Sequence, residues 1–214
     1  MHHCKELRQK IQAHVPLHGA RLDFVIRFVM SLIVVRSVTL STVASVLNPN
    51  VLPESNEKRI KRFWAQVGFD AGVWLKLALA LLPVKDKWVL TLDRTTWELG
   101  KHCFNVLLLG VAYRGTAFPL VWTVLGKKGN SDTAERLALL DTLLEHVEAE
   151  RVEAVVADRE FIGQAWFRGL KARDLVFVMR VRNNTLVGSR GVTRSALRRY
   201  GHLEPRDVYV APKR

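Results

Sequence analysis

The sequence contains little cysteine. Two residues, Cys4 and Cys103, stand far apart among 214 residues and lack the spacing of a metal site. This usage argues against a secreted domain held by disulfides and suits a reducing compartment. The N-terminus also lacks the basic start, compact apolar core and cleavage site of a signal peptide. We therefore expect a cytoplasmic protein.

A long uninterrupted apolar run is also missing. The most apolar stretch, 24–47, is broken by Arg27 and Arg36, which leaves no span near the roughly 20 apolar residues of a membrane helix. Since 49% of the residues are hydrophobic, the chain can bury a substantial core. We interpret the stretch as buried helices of a soluble protein and expect no membrane partner.

Acidic residues are scarce relative to basic ones. The chain has 20 acidic against 33 basic side chains, a formal net charge of +13. Such an excess on a globular chain indicates a polyanionic partner, usually nucleic acid or an anionic membrane face. A basic surface that serves only solubility is the alternative.

The N-terminal part, to about Val84, has a helical pattern. Three or four helices are predicted, at 21–35, at 39–47, after a cap at Ser55, and at 74–82. The third carries Lys58, Arg59, Lys61 and Arg62, which is typical of a helix-turn-helix DNA-binding region. A helical subdomain with a solvated basic face is the alternative.

From Trp88 onward, short apolar runs alternate with helical segments. The predicted order is strands 88–93, 104–113 and 116–125, a helix capped by Asp132 and Glu135, strand 152–158, helix 162–171 and strand 175–181. Arg114-Gly115 is the predicted turn between the second and third strands. This order predicts an α/β fold, an RNase H-like mixed sheet with flanking helices, preceded by the helical N-terminal region.

Two acids end predicted strands of this sheet. The first and fourth strands lie side by side in the RNase H-like order, so their ends bring Asp93 and Asp158 together. Two adjacent carboxylates repel each other, and a divalent cation relieves the repulsion. Oxygen ligands favour Mg²⁺ or Mn²⁺, and two such ions about 4 Å apart can drive phosphodiester chemistry. The alternative is that each Asp only forms a turn or a helix cap.

Several basic residues are candidates for contacts with DNA phosphates. They are Arg59 and Arg62 on the third helix, Arg94 and Arg159 directly after the two acids, and Lys127 and Lys128 in a loop. A salt bridge or a solvated position is the alternative for each. We expect Trp97 in the core, with base stacking as the alternative, and Glu160 facing away from the site as a surface or helix-terminal charge.

Three segments resemble the IS4 family of insertion-sequence transposases. Leu92-Asp93-Arg94-Thr95-Thr96-Trp97 resembles the first catalytic motif of that family, and Ala157-Asp158-Arg159-Glu160-Phe161-Ile162-Gly163 resembles the second. Between them, Lys127-Lys128-Gly129-Asn130-Ser131 with Glu135-Arg136 is also similar. The resemblance covers the chain from about Arg21 to Asn183.

The resemblance implies a catalytic domain with a DDE triad that moves DNA by cutting and pasting. It assigns the first two acids of the triad to Asp93 and Asp158 and implies Mg²⁺, as two divalent ions with Mn²⁺ possible. The implied partner is double-stranded DNA, both transposon ends and target, with a homodimer in a synaptic complex on the bacterial nucleoid. The expected domains are 1–84 for DNA ends, 85–181 for the catalytic core and 182–214 for the start of a β-rich insertion.

The third acid of the family is absent from the expected place. That acid is a Glu in a Tyr-Arg-Glu-Lys type signature on a later helix, and none of Glu160, Asp174, Glu204 or Asp207 stands in such a signature. We assign no third ligand and expect a chain truncated at its C-terminus. The main hypothesis is a DDE transposase. The alternatives are an inactive DNA-binding remnant that inhibits transposition, and an RNase H-like nuclease with other substrates.

Overall fold

The computed structural model describes residues 2–68, 71–99, 101–182, 184–189 and 192–195. The chain divides into two compact units, Met1–Pro83 and Val84–Arg214. The predicted functions of the three segments 1–84, 85–181 and 182–214 stay predictions.

The first unit is helical in its described part. Its helices are α1 (His2–His14), α2 (Gly19–Val35), α3 (Leu40–Leu47), α4 (Pro53–Gln66) and α5 (Ala71–Leu81). Helix α1 was not predicted, although Leu7, Ile11 and Val15 recur every four residues, and Ile11 and Val15 are buried in the unit's core. Helix α4 begins at Pro53, before the predicted cap at Ser55, because a proline in the first turn loses no hydrogen bond.

Aromatic side chains join α2 to α4. The rings of Phe24 and Phe63 lie 4.4 Å apart between centroids, and Phe28 meets Trp64 edge to face at 5.5 Å. A buried amide joins α3 to α4, because Asn56 Nδ2 donates to the carbonyl oxygen of Ala44 at 2.9 Å. These contacts hold α2, α3 and α4 together as one packed group.

Among the residues that the structure describes, no single helix is long and apolar enough to cross a membrane. The pair α2 and α3 reaches that length and apolarity together, but with a bend of 114° between them.

The second unit contains a five-stranded mixed sheet. Its elements are β1 (Trp88–Leu99), β2 (His102–Tyr113), β3 (Thr116–Leu125), α6 (Thr133–Leu144), β4 (Val152–Ala157), α7 (Gln164–Ala172) and β5 (Phe177–Met179). The strand order is β3-β2-β1-β4-β5, with β1, β2 and β3 antiparallel and with β4 and β5 parallel to β1. The predicted mixed sheet with flanking helices is confirmed, and it is consistent with an RNase H-like fold.

A second, two-stranded sheet follows β5. Its strands are β6 (Leu186–Ser189) and β7 (Val192–Ser195). Both lie within 182–214, where the resemblance implies the start of a β-rich insertion. Residues 196–214 of that stretch lie outside the described residues.

A turn and a helix cap in the second unit form as predicted. Arg114 and Gly115 join β2 to β3 with φ angles of 50° and 78°, the left-handed backbone of a tight hairpin turn. At the start of α6, the amide of Glu135 donates to Asp132 Oδ1 at 2.9 Å and the amide of Asp132 donates to Glu135 Oε2 at 2.7 Å. This reciprocal capping fixes where α6 begins.

The helices of the second unit cover one face of its sheet. Leu90, Leu107 and Val155 on that face are fully buried, and Phe167 of α7 stacks on Phe177 of β5 at 4.8 Å. The opposite face carries Asp93 and, by the two-residue period of a strand, Trp97.

The expectation of a core position for Trp97 is wrong. Its side chain is 61% exposed. Strand β1 continues past Asp93 to Leu99, so Trp97 lies on a part of β1 that extends beyond β4 and pairs with Phe104 on the uncovered face. The core interpretation failed because the strand was expected to end at Asp93.

A substitution at Gly110 tests the close pairing of β2 with β3. A Cβ atom there would lie 2.5 Å from the carbonyl oxygen of Phe118, at an irregularity in the register. We expect Gly110→Ala to lower the free energy of unfolding by about 1–3 kcal/mol, because the backbone must move. Gly126→Ala is the control, since its Cβ would meet nothing within 4 Å. Equal stability of the two variants in chemical denaturation would contradict the packing.

Candidate catalytic site

The pairing of β1 with β4 brings two acids to one place. In the parallel register Leu92 faces Ala157, so the next residues along the two strands are Asp93 and Asp158. Neighbouring strands lie about 4.8 Å apart, and both side chains are exposed. The register therefore supports the predicted proximity of the acids, and their catalytic role stays a prediction.

Each acid is oriented by the backbone that follows it. Asp93 Oδ1 accepts a hydrogen bond from the amide of Arg94 at 2.7 Å, and Asp158 Oδ1 accepts one from the amide of Arg159 at 2.6 Å. Asp158 thereby caps a short 3₁₀ turn, Arg159–Phe161. Within the described residues, neither Oδ2 has a hydrogen-bond donor. One oxygen of each carboxylate is thus held while the other is free to bind a cation.

A bidentate ion pair connects the segments that carry the acids. Arg94 Nε donates to Glu160 Oε1 at 2.9 Å, and Arg94 Nη2 donates to Glu160 Oε2 at 3.1 Å. The side chains are 18% and 25% exposed. The hydrogen bond to Glu160 raises the pKa of Arg94 above its usual value, so the guanidinium stays charged.

Glu160 lies in the first turn of the 3₁₀ segment that follows Asp158, which is the helix-terminal position expected for it. Its partner Arg94 is the residue after Asp93 on β1, so the side chains of Asp93 and Arg94 alternate and Arg94 lies on the opposite face of the strand. Glu160 is half-buried, and both of its carboxylate oxygens are bonded to Arg94. Its geometry fits a positioning role and leaves no oxygen free for a metal.

Arg94 also contacts β2 and the loop before α6. Arg94 Nη1 donates to Asn105 Oδ1 at 3.2 Å, and Arg94 Nη2 donates to Asn130 Oδ1 at 3.3 Å. Asn105 is only 2% exposed, and its Nδ2 donates to the carbonyl oxygens of Lys127 and Gly129 at 3.0 and 2.7 Å. The buried amide therefore holds this loop against Arg94.

Arg136 of α6 supports the segment after Asp158 from the other side. Its Nε donates to Ser131 Oγ at 2.8 Å, and its Nη2 donates to the carbonyl oxygen of Glu160 at 3.4 Å. The guanidinium lies 4.9 Å from the ring centroid of Phe161. Burial lowers the pKa of Arg136. All three segments that resemble the IS4 family thus meet around Arg94 and Glu160.

The six candidate DNA contacts fall into three groups. Arg94 and Lys127 have protein partners, since the Lys127 ammonium pairs with Asp132 at 2.9 Å and with Glu135 at 3.0 Å. Those hydrogen bonds raise the pKa of Lys127. Lys128 and Arg159 are exposed, and within the described chain neither has an ion-pair partner. Arg59 and Arg62 lie on α4 of the first unit. Their contacts with phosphate stay predictions.

Sequence reasoning missed Asn105, Glu160 and Arg136 as site residues. Asn105 gave a usable signal, because a polar side chain inside the apolar run of a predicted strand needs a specific partner. Arg136 gave a similar signal on a helix with several leucines. Glu160 gave none, because its direction depends on the 3₁₀ turn.

The two acids fit part of a magnesium site. Mg²⁺ is commonly held by one or two carboxylates together with waters and substrate phosphates, and Asp93 and Asp158 offer two such carboxylates. In the part of the chain that the structure describes, no cluster of three or more His, Cys, Asp or Glu residues is placed to hold a metal. A third protein ligand is therefore not identified among these residues.

The Arg94–Glu160 pair can be tested through stability alone. We expect Glu160→Gln to lower the free energy of unfolding by about 1–3 kcal/mol, because Arg94 keeps its half-buried charge and loses its partner. Glu148→Gln, at an exposed acid without an ion pair in the described chain, is the control. In a double-mutant cycle with Arg94→Gln we expect a coupling energy of about 0.5–3 kcal/mol. Strictly additive effects would contradict the pair.

Comparisons with known proteins identify the family. No curated protein matches the chain. Among solved structures, the chain is similar to one in the "CryoEM structure of simian T-cell lymphotropic virus intasome in complex with PP2A regulatory subunit B56 gamma", with 11% identity and a TM-score of 0.36. That match covers 46% of this chain and 34% of the other, so the chain spans about a third of that relative. The model of the transposase DDE domain matches residues 85–213, well over half of the chain, and the protein therefore belongs to the transposase DDE domain family.

Proposed function

We propose that the protein is an IS4-type transposase that cleaves DNA strands at insertion-sequence ends and joins the freed 3′-hydroxyl to target DNA. The observation that carries this proposal is the position of Asp93 and Asp158. Each directly follows one residue of the last pair in the parallel register, Leu92 on β1 and Ala157 on β4, within the residues matched by the transposase DDE domain.

Asp93 and Asp158 act as ligands of divalent cations in this proposal. Each offers its Oδ2 atom while its Oδ1 atom accepts a backbone hydrogen bond. Mg²⁺ is the expected ion, with Mn²⁺ as a substitute. When bound, such ions activate the attacking oxygen and stabilise the leaving oxygen of a phosphodiester.

Other residues of the chain orient the acids and the substrate. The Arg94–Glu160 pair keeps the backbone after Asp93 at a fixed position relative to the turn after Asp158. Arg159 and Lys128 are exposed basic residues, and each is proposed to contact phosphates of the bound strand. The helical N-terminal unit is proposed to hold the transposon end, with a homodimer joining two ends.

A second candidate function is DNA binding without cleavage. It is favoured by one observation: the described residues bring two acids together and supply no third. A protein of this kind would occupy transposon ends and inhibit transposition by an active copy.

Strand cleavage by the full chain tests the first candidate. We expect Mg²⁺-dependent nicking of the terminal inverted repeats of the element that encodes the chain. Asp93→Asn and Asp158→Asn should each reduce the rate more than the roughly 100-fold upper range for losing an outer-shell partner, because each removes a direct ligand. Asp86→Asn, at an exposed acid of the loop before β1, is the control and should nick normally.

Two outcomes separate the candidates. Nicking by Asp93→Asn at the wild-type rate would exclude the proposed metal site. Binding of the repeats by the wild-type chain, with no nicking in Mg²⁺ or Mn²⁺, would exclude the first candidate and favour the second.

A further inference from the structure

A basic groove lies between α2 and α4 of the first unit. Its volume is about 230 Å³. The side chains that matter for its chemistry are three arginines, an amide and two aromatic rings: Arg21, Arg59, Arg62, Gln66, Phe24 and Phe63.

The spacing of the sequence places these polar groups together. Arg59, Arg62 and Gln66 are separated by three and four residues on α4, which puts them on one face of the helix. Arg21 stands in the first turn of α2. Because α2 and α4 pack through Phe24 and Phe63, the Arg21 side chain lines the same groove as the three side chains of α4.

The floor of the groove is rigid. Phe24 and Phe63 are both buried, and their rings are in contact. The guanidinium of Arg59 lies 5.3 Å from the ring centroid of Phe24, a distance at which the ring attracts the cation. This contact holds one of the three charges over the floor before any ligand arrives.

The positive charge of the groove is not compensated. Within the described residues, none of Arg21, Arg59 and Arg62 forms an ion pair with an acid. Two acids on the same helices are paired with other basic residues, Asp23 with Arg8 and Glu57 with Lys61. Three guanidiniums at one groove repel each other, and an anion bound there would relieve the repulsion.

We propose that this groove binds the phosphodiester backbone of duplex DNA. Guanidinium groups present a planar fork of donors that matches phosphate oxygens, and Gln66 adds a neutral donor. A DNA strand carries a phosphate about every 3.4 Å of helix axis, so one strand can serve several arginines. The ligand identity rests on the proposed function, and the proposal adds Arg21 and Gln66, which the sequence did not indicate.

The groove determines how the DNA lies on the first unit. Phosphate contacts fix the position and orientation of a protein on the duplex and carry no base information. We therefore expect the groove to bind transposon ends and unrelated duplexes with similar strength. Sequence preference must then come from other contacts.

The salt dependence of DNA binding tests the groove. The full chain is titrated with a labelled 30-base-pair duplex in EDTA, and fluorescence anisotropy gives the association constant at several salt concentrations. The test variant is Arg21→Ala/Arg62→Ala, which leaves the Arg59 contact with Phe24 intact. The matched control is Arg27→Ala/Lys76→Ala, which removes the same charge from exposed positions of α2 and α5 outside the groove.

We expect the test variant to lower the salt slope by about 1.8, since each lost phosphate contact removes about 0.9. Its affinity should fall about tenfold or more at moderate salt, and the control should keep a nearly wild-type slope. Thermal denaturation of both variants checks that each is folded. If the test variant does not fold, Arg62→Gln, which keeps the length of the side chain, is measured against Lys76→Gln.

Three results would overturn the proposal. One is an equal decrease of the salt slope in the test variant and the control, because the lower overall charge would then explain the decrease. Another is unchanged DNA binding by the test variant. The last is loss of binding to an acidic peptide such as polyglutamate with DNA binding intact, because the groove would then serve a protein partner.

This measurement is independent of cleavage. Because EDTA removes divalent ions, binding is measured without the ions that the proposed cleavage requires, and Asp86→Asn should bind the duplex with the wild-type slope. If the wild-type chain never nicks DNA but the test variant has a lower salt slope, the groove proposal stands and the proposed cleavage is excluded. If the wild-type chain nicks DNA but the test variant has the wild-type salt slope, the proposed cleavage stands and the groove proposal is excluded.

Discussion

The parallel pairing of β1 with β4 is the constraint on which the second unit depends. Parallel neighbours cannot be joined by a tight turn, so the chain forms the β2–β3 hairpin and α6 before it returns beside β1. The return places Asp158 level with Asp93 although 64 positions separate them in the sequence. A shift of one residue in this register would move the side chains of β4 to the other face of the sheet.

The polar side chains near the buried face of the sheet also need hydrogen-bond partners. Arg94 is largely enclosed, and an enclosed guanidinium is costly unless its donors are satisfied. Glu160, Asn105 and Asn130 satisfy them. The same bonds join β1, β2, the loop before α6 and the turn after Asp158. The hydrogen bonds that offset the cost of enclosing the Arg94 guanidinium therefore also hold the backbone around both acids in place.

Local chemistry made part of this structure predictable. The Arg114-Gly115 turn and the Asp132–Glu135 cap depend on residues within four positions of each other, and both form as expected. The strand order followed from the alternation of apolar runs with helical segments. The side-by-side position of the two acids followed from that order.

The remaining features depend on geometry that a single sequence does not encode locally. The pairing of Glu160 with Arg94 depends on the 3₁₀ turn that follows Asp158. The exposure of Trp97 follows from the length of β1 beyond its partner β4. The groove of the first unit combines Arg21 with residues of α4 nearly forty positions away. Each of these depends on where an element ends or on which helix packs against it.

The sheet gives the second unit two classes of tryptophan that differ in their exposure to solvent. Trp88 and Trp166 are buried, whereas Trp97 and Trp122 are exposed, and Trp97 lies on the same strand face as Asp93. A water-soluble quencher such as acrylamide reaches exposed indoles and is excluded from buried ones. The tryptophan fluorescence of the second unit therefore divides into two signals, one from its core and one from the exposed face of its sheet.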